Sequence, residues 1–228
     1  MAGALDFVDH YVAGAGKPGY ILAVNPEKVY ALRENPFLKV FFREAALLIP
    51  DGIGMVCAMR FLARKKVSRV PGADLMQNIC ARSAEKGHRI FIYGASEEVN
   101  RGAVEELHRR YPGINIVGRA NGYVKPGEMD SLVERVNSAG TDILFVALGS
   151  PRQEKWIHEH LPKLNIKLAQ GIGGTLDTIT GNVKRAPTLF QALNLEWFYR
   201  LVSQPSRAGR QRILPLFVWE VLMARLKL

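Results

Sequence analysis

Short apolar runs rich in branched residues recur along the chain, at 20–24, 89–93, 114–117, 143–148 and 168–172, each followed by a longer stretch of helical character. That alternation predicts an α/β fold: a Rossmann-like, mostly parallel sheet with helices on both faces. Punctuation places several helices. One over 73–86 stops at Gly87, one over 97–111 starts after Ser96 and stops before Pro112-Gly113, and one over 126–138 stops short of Gly140. No internal repeat, low-complexity tract or flexible linker interrupts the pattern to about residue 195. The expected organisation is an α/β domain over 1–195 and a basic, amphipathic helical appendage over 196–228.

In open sheets of this kind ligands gather outside the carboxyl ends of the strands. The residues just after each run are polar or glycine: Asn25, Asp51 after the apolar 46–50, Gly94-Ala95-Ser96, the stretch 149–153, and Gly173-Gly174-Thr175-Leu176-Asp177. Glycine lets backbone approach a ligand, and Asn, Asp, Thr and Gln offer hydrogen bonds to sugar hydroxyls or a base. The join over 142–154 is the most informative. Its apolar run stops at Gly149, Ser150 can cap a new helix, Pro151 fits the first turn, and Gln153 at the third helical position can close a capping box. Free N–H groups at such a start suit a phosphate, although for an isolated segment of this kind a capped turn with no ligand is the favoured reading.

The remaining signals each have a plain and a chemical reading. Asp51 in Asp51-Gly52-Ile53-Gly54 is a general base or an N-cap, and the segment alone favours the cap. Arg69 can clamp a diphosphate or lie solvated in a loop. Gly171-Ile172-Gly173-Gly174 lacks the dinucleotide spacing, which disfavours a nicotinamide enzyme. His158 and His160, two apart on a helix, read as surface residues rather than metal ligands. The chain has no Asp-x-Asp, so no metal cofactor is expected, and Arg, Lys and helix ends are left to balance a nucleotide diphosphate.

With 228 residues, 48% of them hydrophobic, the chain can bury a full core. Cys57 and Cys80 stand in apolar surroundings and read as buried thiols in a reducing compartment, and no export signal is present, so a cytoplasmic location is expected. The net charge of +10 points to anionic partners: nucleic acid, phosphorylated small molecules or an acidic membrane surface. Its distribution narrows these. From Trp197 onward stand Arg200, Arg207, Arg210, Arg212, Arg225 and Lys227 against the single acid Glu220. The apolar run 213–224, interrupted by Pro215 and Glu220, falls short of the roughly 20 residues needed to span a bilayer. A basic segment bearing Phe217 and Trp219 fits the membrane interface; it fits equally a terminal helix packed on the domain or in a homo-oligomer contact.

Together, several strings resemble the WecG/TagA/CpsF family of bacterial glycosyltransferases from Tyr20 onward. They are Ala23-Val24-Asn25-Pro26-Glu27-Lys28, Pro50-Asp51-Gly52-Ile53-Gly54, Arg69-Val70-Pro71-Gly72-Ala73-Asp74, Ala147-Leu148-Gly149-Ser150-Pro151-Arg152-Gln153-Glu154, Gly171-Ile172-Gly173-Gly174-Thr175-Leu176-Asp177, Val183-Lys184-Arg185-Ala186-Pro187 and Leu195-Glu196-Trp197-Phe198-Tyr199-Arg200-Leu201. The resemblance implies inverting transfer of N-acetylmannosamine or its uronic acid from UDP to an N-acetylglucosaminyl-diphospho-undecaprenol lipid, peripherally on the inner face of the membrane. It makes Asp51 the catalytic base and Arg69, with the helix start at Ser150, the partners of the departing diphosphate. Asn25, Gln153, Gly173, Gly174 and Asp177 are implied to bind the uridine or the sugar, and Lys184 or Arg185 the carboxylate of a uronate. Arg207, Arg210 and Arg212 are the implied contacts to lipid diphosphate, with Trp219 and Arg225 on the membrane.

One departure stands out. Members like TagA carry a threonine two residues before the asparagine, where this chain has Ala23; members like WecG lack it too, and the serines and prolines around Arg69 and Arg207 resemble that branch. The competing readings are a nucleic-acid-binding α/β domain, suggested by charge alone, and a sugar-nucleotide-binding relative that has lost catalysis. Clustering of the basic residues beside an apolar run argues against nucleic acid as a partner.

Overall fold

A computed structural model of the chain describes residues 1–64, 66–193, 195–203 and 212–226. In chain order its elements are α1 (Ala2–Ala13), β1 (Gly19–Val24), α2 (Pro26–Ala31), α3 (Pro36–Arg43), β2 (Leu47–Pro50), α4 (Ile53–Ala63), α5 (Gly72–Lys86), β3 (Arg89–Gly94), α6 (Glu97–Arg110) and β4 (Asn115–Ala120). There follow α7 (Met129–Ser138), β5 (Ile143–Ala147), α8 (Arg152–His160), β6 (Leu168–Gly171), α9 (Thr175–Ile179), α10 (Thr188–Ala192), α11 (Glu196–Ser203) and α12 (Ile213–Leu226). The six strands form one sheet in the order β2-β1-β6-β5-β3-β4. The neighbours β1 and β6, β6 and β5, β5 and β3, and β3 and β4 all run parallel.

The α/β fold predicted from the alternation is thus present, with strand ends moved by a few residues. Parallel strands covered by helices read as continuous apolar runs, and every residue of β5 is buried. The run at 114–117 extends to Ala120 because Gly118 makes room: a Cβ there would lie 2.5 Å from the Phe91 ring. Helix α6 is capped as expected, the Val99 N–H donating to the Ser96 hydroxyl at 3.3 Å.

Two compact units divide the chain. The first comprises Met1–Leu22, Glu44–Leu47 and Gly72–Lys184, the second Ala23–Arg43, Leu48–Pro71 and Arg185–Leu228. In the first, α1 packs on α5 and β6 through buried Val8 and Val12, and is pinned by charge. Asp9 accepts from Lys86 Nζ at 2.7 Å and lies 3.3 Å from His88 Nε2. Burial alone would raise the Asp9 carboxyl, but these hydrogen bonds and the Arg82 charge hold it below the usual carboxylate range. In the second unit α12 packs on α2 and α4, and Arg33 pairs with Glu220.

Three expectations need correction. Cys80 is buried, which pushes its thiol up to about 12, but Cys57 is exposed. Val56 and Ala58 take the inward positions on α4, and the step of about 100° per residue carries Cys57 outward. His158 is exposed, whereas His160 is half-buried because its ring stacks on Trp156, centroids 4.7 Å apart. The terminal helix is not amphipathic: Leu216, Val218, Trp219, Leu222, Met223 and Leu226 are exposed while Phe217 is buried, because its sequence carries only Glu220 and Arg225 as charges.

Candidate active site

In the second unit two backbone hydrogen bonds assemble the candidates. Asp51 N–H donates to the Val24 carbonyl at 2.8 Å, and Val70 N–H donates to the Pro50 carbonyl at 2.9 Å. Asn25, Asp51 and Arg69 each sit at, or one residue from, these bonded positions, so residues 26 and 18 apart in sequence become neighbours. The local reasons are visible. Asn25 caps α2, its Oδ1 accepting the Lys28 N–H at 2.9 Å, with Pro26 in the first turn. The plain reading of Asp51 as the cap of α4 fails, because Gly52 takes the cap position with φ 88°, a left-handed backbone that favours glycine. Asp51 itself is half-buried.

Arg69 is not a solvated loop residue. Its side chain is 17% exposed and pairs with Glu196, the first residue of α11, whose side chain is 10% exposed. Arg185 joins the same carboxylate, Nε to Oε1, at 3.4 Å. Two of the cations expected for an anionic ligand thus converge on one acid that sequence reasoning passed over. A glutamate opening a helix ordinarily reads as a partner of the helix dipole, so the only sequence signal was its place in the string with Trp197.

In the first unit the polar turns after β3, β5 and β6 are shaped mainly by backbone. Strands β3 and β5 are neighbours, and the chain leaves β3 for β4 on one side and β5 for β6 on the other. Their carboxyl ends are therefore a topological switch point, where such sheets bind ligands. Gly94 has φ 122°, Ala95 φ 58°, and a Cβ on Gly94 would lie 2.4 Å from the Ala147 carbonyl oxygen. Buried Asn100 holds this corner, its amide donating to the carbonyls of Gly94 at 2.8 Å and Ala120 at 3.0 Å. Gly94 and Ala95 stand out in the sequence at a strand end without a specific role, whereas Asn100, inside α6, carries no such signal.

The turn after β5 corrects the capping-box expectation. Helix α8 begins at Arg152, the cap position falls on Pro151, and Ser150 stands exposed before it, joined by a cis peptide bond. The Gln153 N–H already donates to the Gly149 carbonyl at 3.0 Å, leaving the serine hydroxyl no such donor to cap. Gln153, 4% exposed, reaches the turn after β6 instead. Its Oε1 accepts from Gly173 N–H at 2.9 Å and its Nε2 donates to Glu154 Oε1 at 3.3 Å. Gly171 is required here, since a Cβ would meet Gln153 Nε2 at 2.5 Å. Gly173 has φ 54°, Gly174 is exposed, and Asp177 lies half-buried in the first turn of α9. Lys184 is exposed at the end of the first unit, and Arg185 belongs to the second. Among the described residues no three His, Cys, Asp or Glu side chains gather where they could hold a metal ion.

The model of the "Glycosyl transferase WecG/TagA/CpsF family" matches residues 1–228. The chain belongs to the WecG/TagA/CpsF family. A relative from Bacillus spizizenii (strain ATCC 23059 / NRRL B-14472 / W23), the N-acetylglucosaminyldiphosphoundecaprenol N-acetyl-beta-D-mannosaminyltransferase, is 34% identical over 96% of this chain and 88% of its own length. Membership makes the chain a hexosyl-transferring glycosyltransferase of cell-surface polymer synthesis.

For a family whose relative is named for a lipid-linked acceptor, the terminal helix matters. With α4 it lines a groove of about 530 Å³ bounded by Gly54, Cys57, Phe61, Phe217, Val221 and Leu222. Arg225 lies over the Phe61 ring, 5.7 Å from its centroid, and Arg212 is exposed just ahead of the helix. Trp219 is 61% exposed. Arg207 and Arg210 lie outside the described residues. No helix among the described residues is long and apolar enough to cross a membrane.

Proposed function

We propose that the chain transfers an N-acetylmannosamine-type sugar, N-acetylmannosamine or its uronic acid, from UDP to N-acetylglucosaminyl-diphospho-undecaprenol, with inversion and without a metal ion. The observation that carries this reading is that backbone hydrogen bonds bring the segments bearing Asn25, Asp51 and Arg69 side by side, so a proton acceptor and a receiver of negative charge arise from neighbouring strand ends. Asp51 takes the proton of the acceptor hydroxyl as its oxygen attacks the anomeric carbon, and the bond from that carbon to the UDP oxygen breaks on the opposite face. General-base help of this kind contributes roughly 10²- to 10⁴-fold. Charge on the departing diphosphate is met by Arg69 and Arg185. Within the first unit, Gln153 fixes the turn at Gly173 by accepting its N–H. Asn25, already engaged as a cap, acts by holding the start of α2.

The apolar exposure of α12 between Arg212 and Arg225 supports peripheral attachment to the inner membrane face, with Trp219 at headgroup level. A donor screen tests the whole reading: UDP-N-acetylmannosamine against its uronate, with the lipid acceptor in anionic vesicles. Sugar transfer to the lipid from one of the two is expected. Failure with both, alongside a folded protein, contradicts the proposal. Should the uronate be the donor, Lys184→Ala is expected to weaken its use selectively, whereas Arg185→Ala weakens use of either donor.

A further inference from the structure

The carboxylate of Glu196 has one oxygen on Arg69 and the other on Arg185. A buried ion pair is poor evidence for stability as such, since apolar residues of similar volume do as well or better in that role. A carboxylate between two guanidiniums does something apolar packing cannot: it fixes their separation and tilt. Each guanidinium presents five N–H donors in a fixed planar fork, so its orientation decides what else it can bind. Glu196 is itself supported, standing in the first turn of α11 where the helix dipole favours negative charge. Loss of Glu196 removes the acid that touches both guanidiniums.

Resting on the donor reading above, we infer that Glu196 is a positioning residue: it holds Arg69 and Arg185 convergent so that both receive the diphosphate as the glycosidic bond breaks. It touches neither sugar nor acceptor. Its contribution lies in the transition state, where charge on the leaving group is greatest, so loss of Glu196 should lower kcat more than it raises KM. Misplacement of a charge-receiving group by about 1 Å can lower a rate by about 10²-fold.

The test uses the full chain with UDP-sugar and lipid acceptor. Glu196→Gln keeps the shape but not the charge, and should lower kcat about 100-fold while KM for the UDP-sugar stays within about threefold. Glu196→Asp keeps the charge but withdraws it by one methylene, and should lower kcat about tenfold; it carries the test should the Gln variant melt below assay temperature. In an Arg69→Ala/Arg185→Ala background, Glu196→Gln should change kcat less than about twofold, because a residue acting through the arginines has nothing left to act on. A folded Glu196 variant with kcat within about threefold of wild type, or a full additional loss without the two arginines, overturns the inference. A wild type that turns over neither mannosamine donor overturns the donor reading, and this inference with it.

Discussion

The turns after β3, β5 and β6 and the loops after β1 and β2 are built on different principles. The first set is held by backbone: Gly94 and Ala95 in left-handed conformations, Gly171 yielding space to Gln153, and an Asn100 amide bridging two carbonyls. In the second set, backbone bonds bring Asn25, Asp51 and Arg69 together, but the side chains are governed by charge, with Glu196 gathering two arginines. A surface shaped by backbone cannot tolerate added atoms. A surface shaped by charge tolerates isosteric change structurally and loses chemistry.

Substitutions should therefore separate turnover from stability. Asp51→Asn carries the largest expected effect, a fall in kcat of about 10²- to 10⁴-fold in a chain that still folds, read by steady-state transfer and urea denaturation. Gly94→Ala should do the reverse, because the new methyl meets the Ala147 carbonyl at 2.4 Å in a backbone region that disfavours side chains. A loss of about 2–4 kcal/mol in urea is expected. An Asp51 variant that unfolds, or a Gly94 variant of unchanged stability, would erase the distinction.

The first unit also uses charge, but at the opening of its strands. Asp142 precedes β5 and accepts from Arg89 N–H at 2.8 Å, Nε at 3.1 Å and Nη2 at 2.9 Å. Burial alone would raise its carboxyl, yet the Arg89 bonds hold it below the usual range. The sign follows. A depressed folded-state pKa contributes stability in full above the unfolded value of about 3.9, and loses it as pH falls through the folded one. Asp142→Asn should thus cost about 1–3 kcal/mol at pH 7, with the gap to wild type closing below about pH 4. A gap constant with pH would mean that the ionised pair contributes nothing to stability. The smallest expected effect lies at the far end of the second unit, where Arg225→Ala should weaken binding to anionic vesicles about fivefold and leave neutral vesicles unaffected.

Strands were legible because burial on both faces leaves an unbroken apolar mark, as in β3 and β5. Helix α1 was not, since it shows only two buried positions, Val8 and Val12, and its charged anchor joins Asp9 to Lys86 and His88, residues more than seventy positions away. Candidate positions at strand ends were likewise readable, but their geometry was not. Ser150 looked like a cap until the Gly149 carbonyl claimed the Gln153 N–H, and Gln153 looked like a capping side chain until it reached Gly173. Glu196 escaped notice for the same reason: its meaning lies in two arginines, one of them 127 residues earlier in the chain. The tail's composition was legible, whereas the distribution of its apolar residues around α12 needed coordinates.

If Asp51 and the Arg69 guanidinium serve one nucleotide-sugar site, a crystal structure of the chain with bound UDP will show it. The predicted result has a diphosphate oxygen within about 3 Å of a guanidinium nitrogen of Arg69 or Arg185, with the Asp51 carboxylate open beside it. A diphosphate held without either arginine, with Asp51 turned against α4, would contradict it.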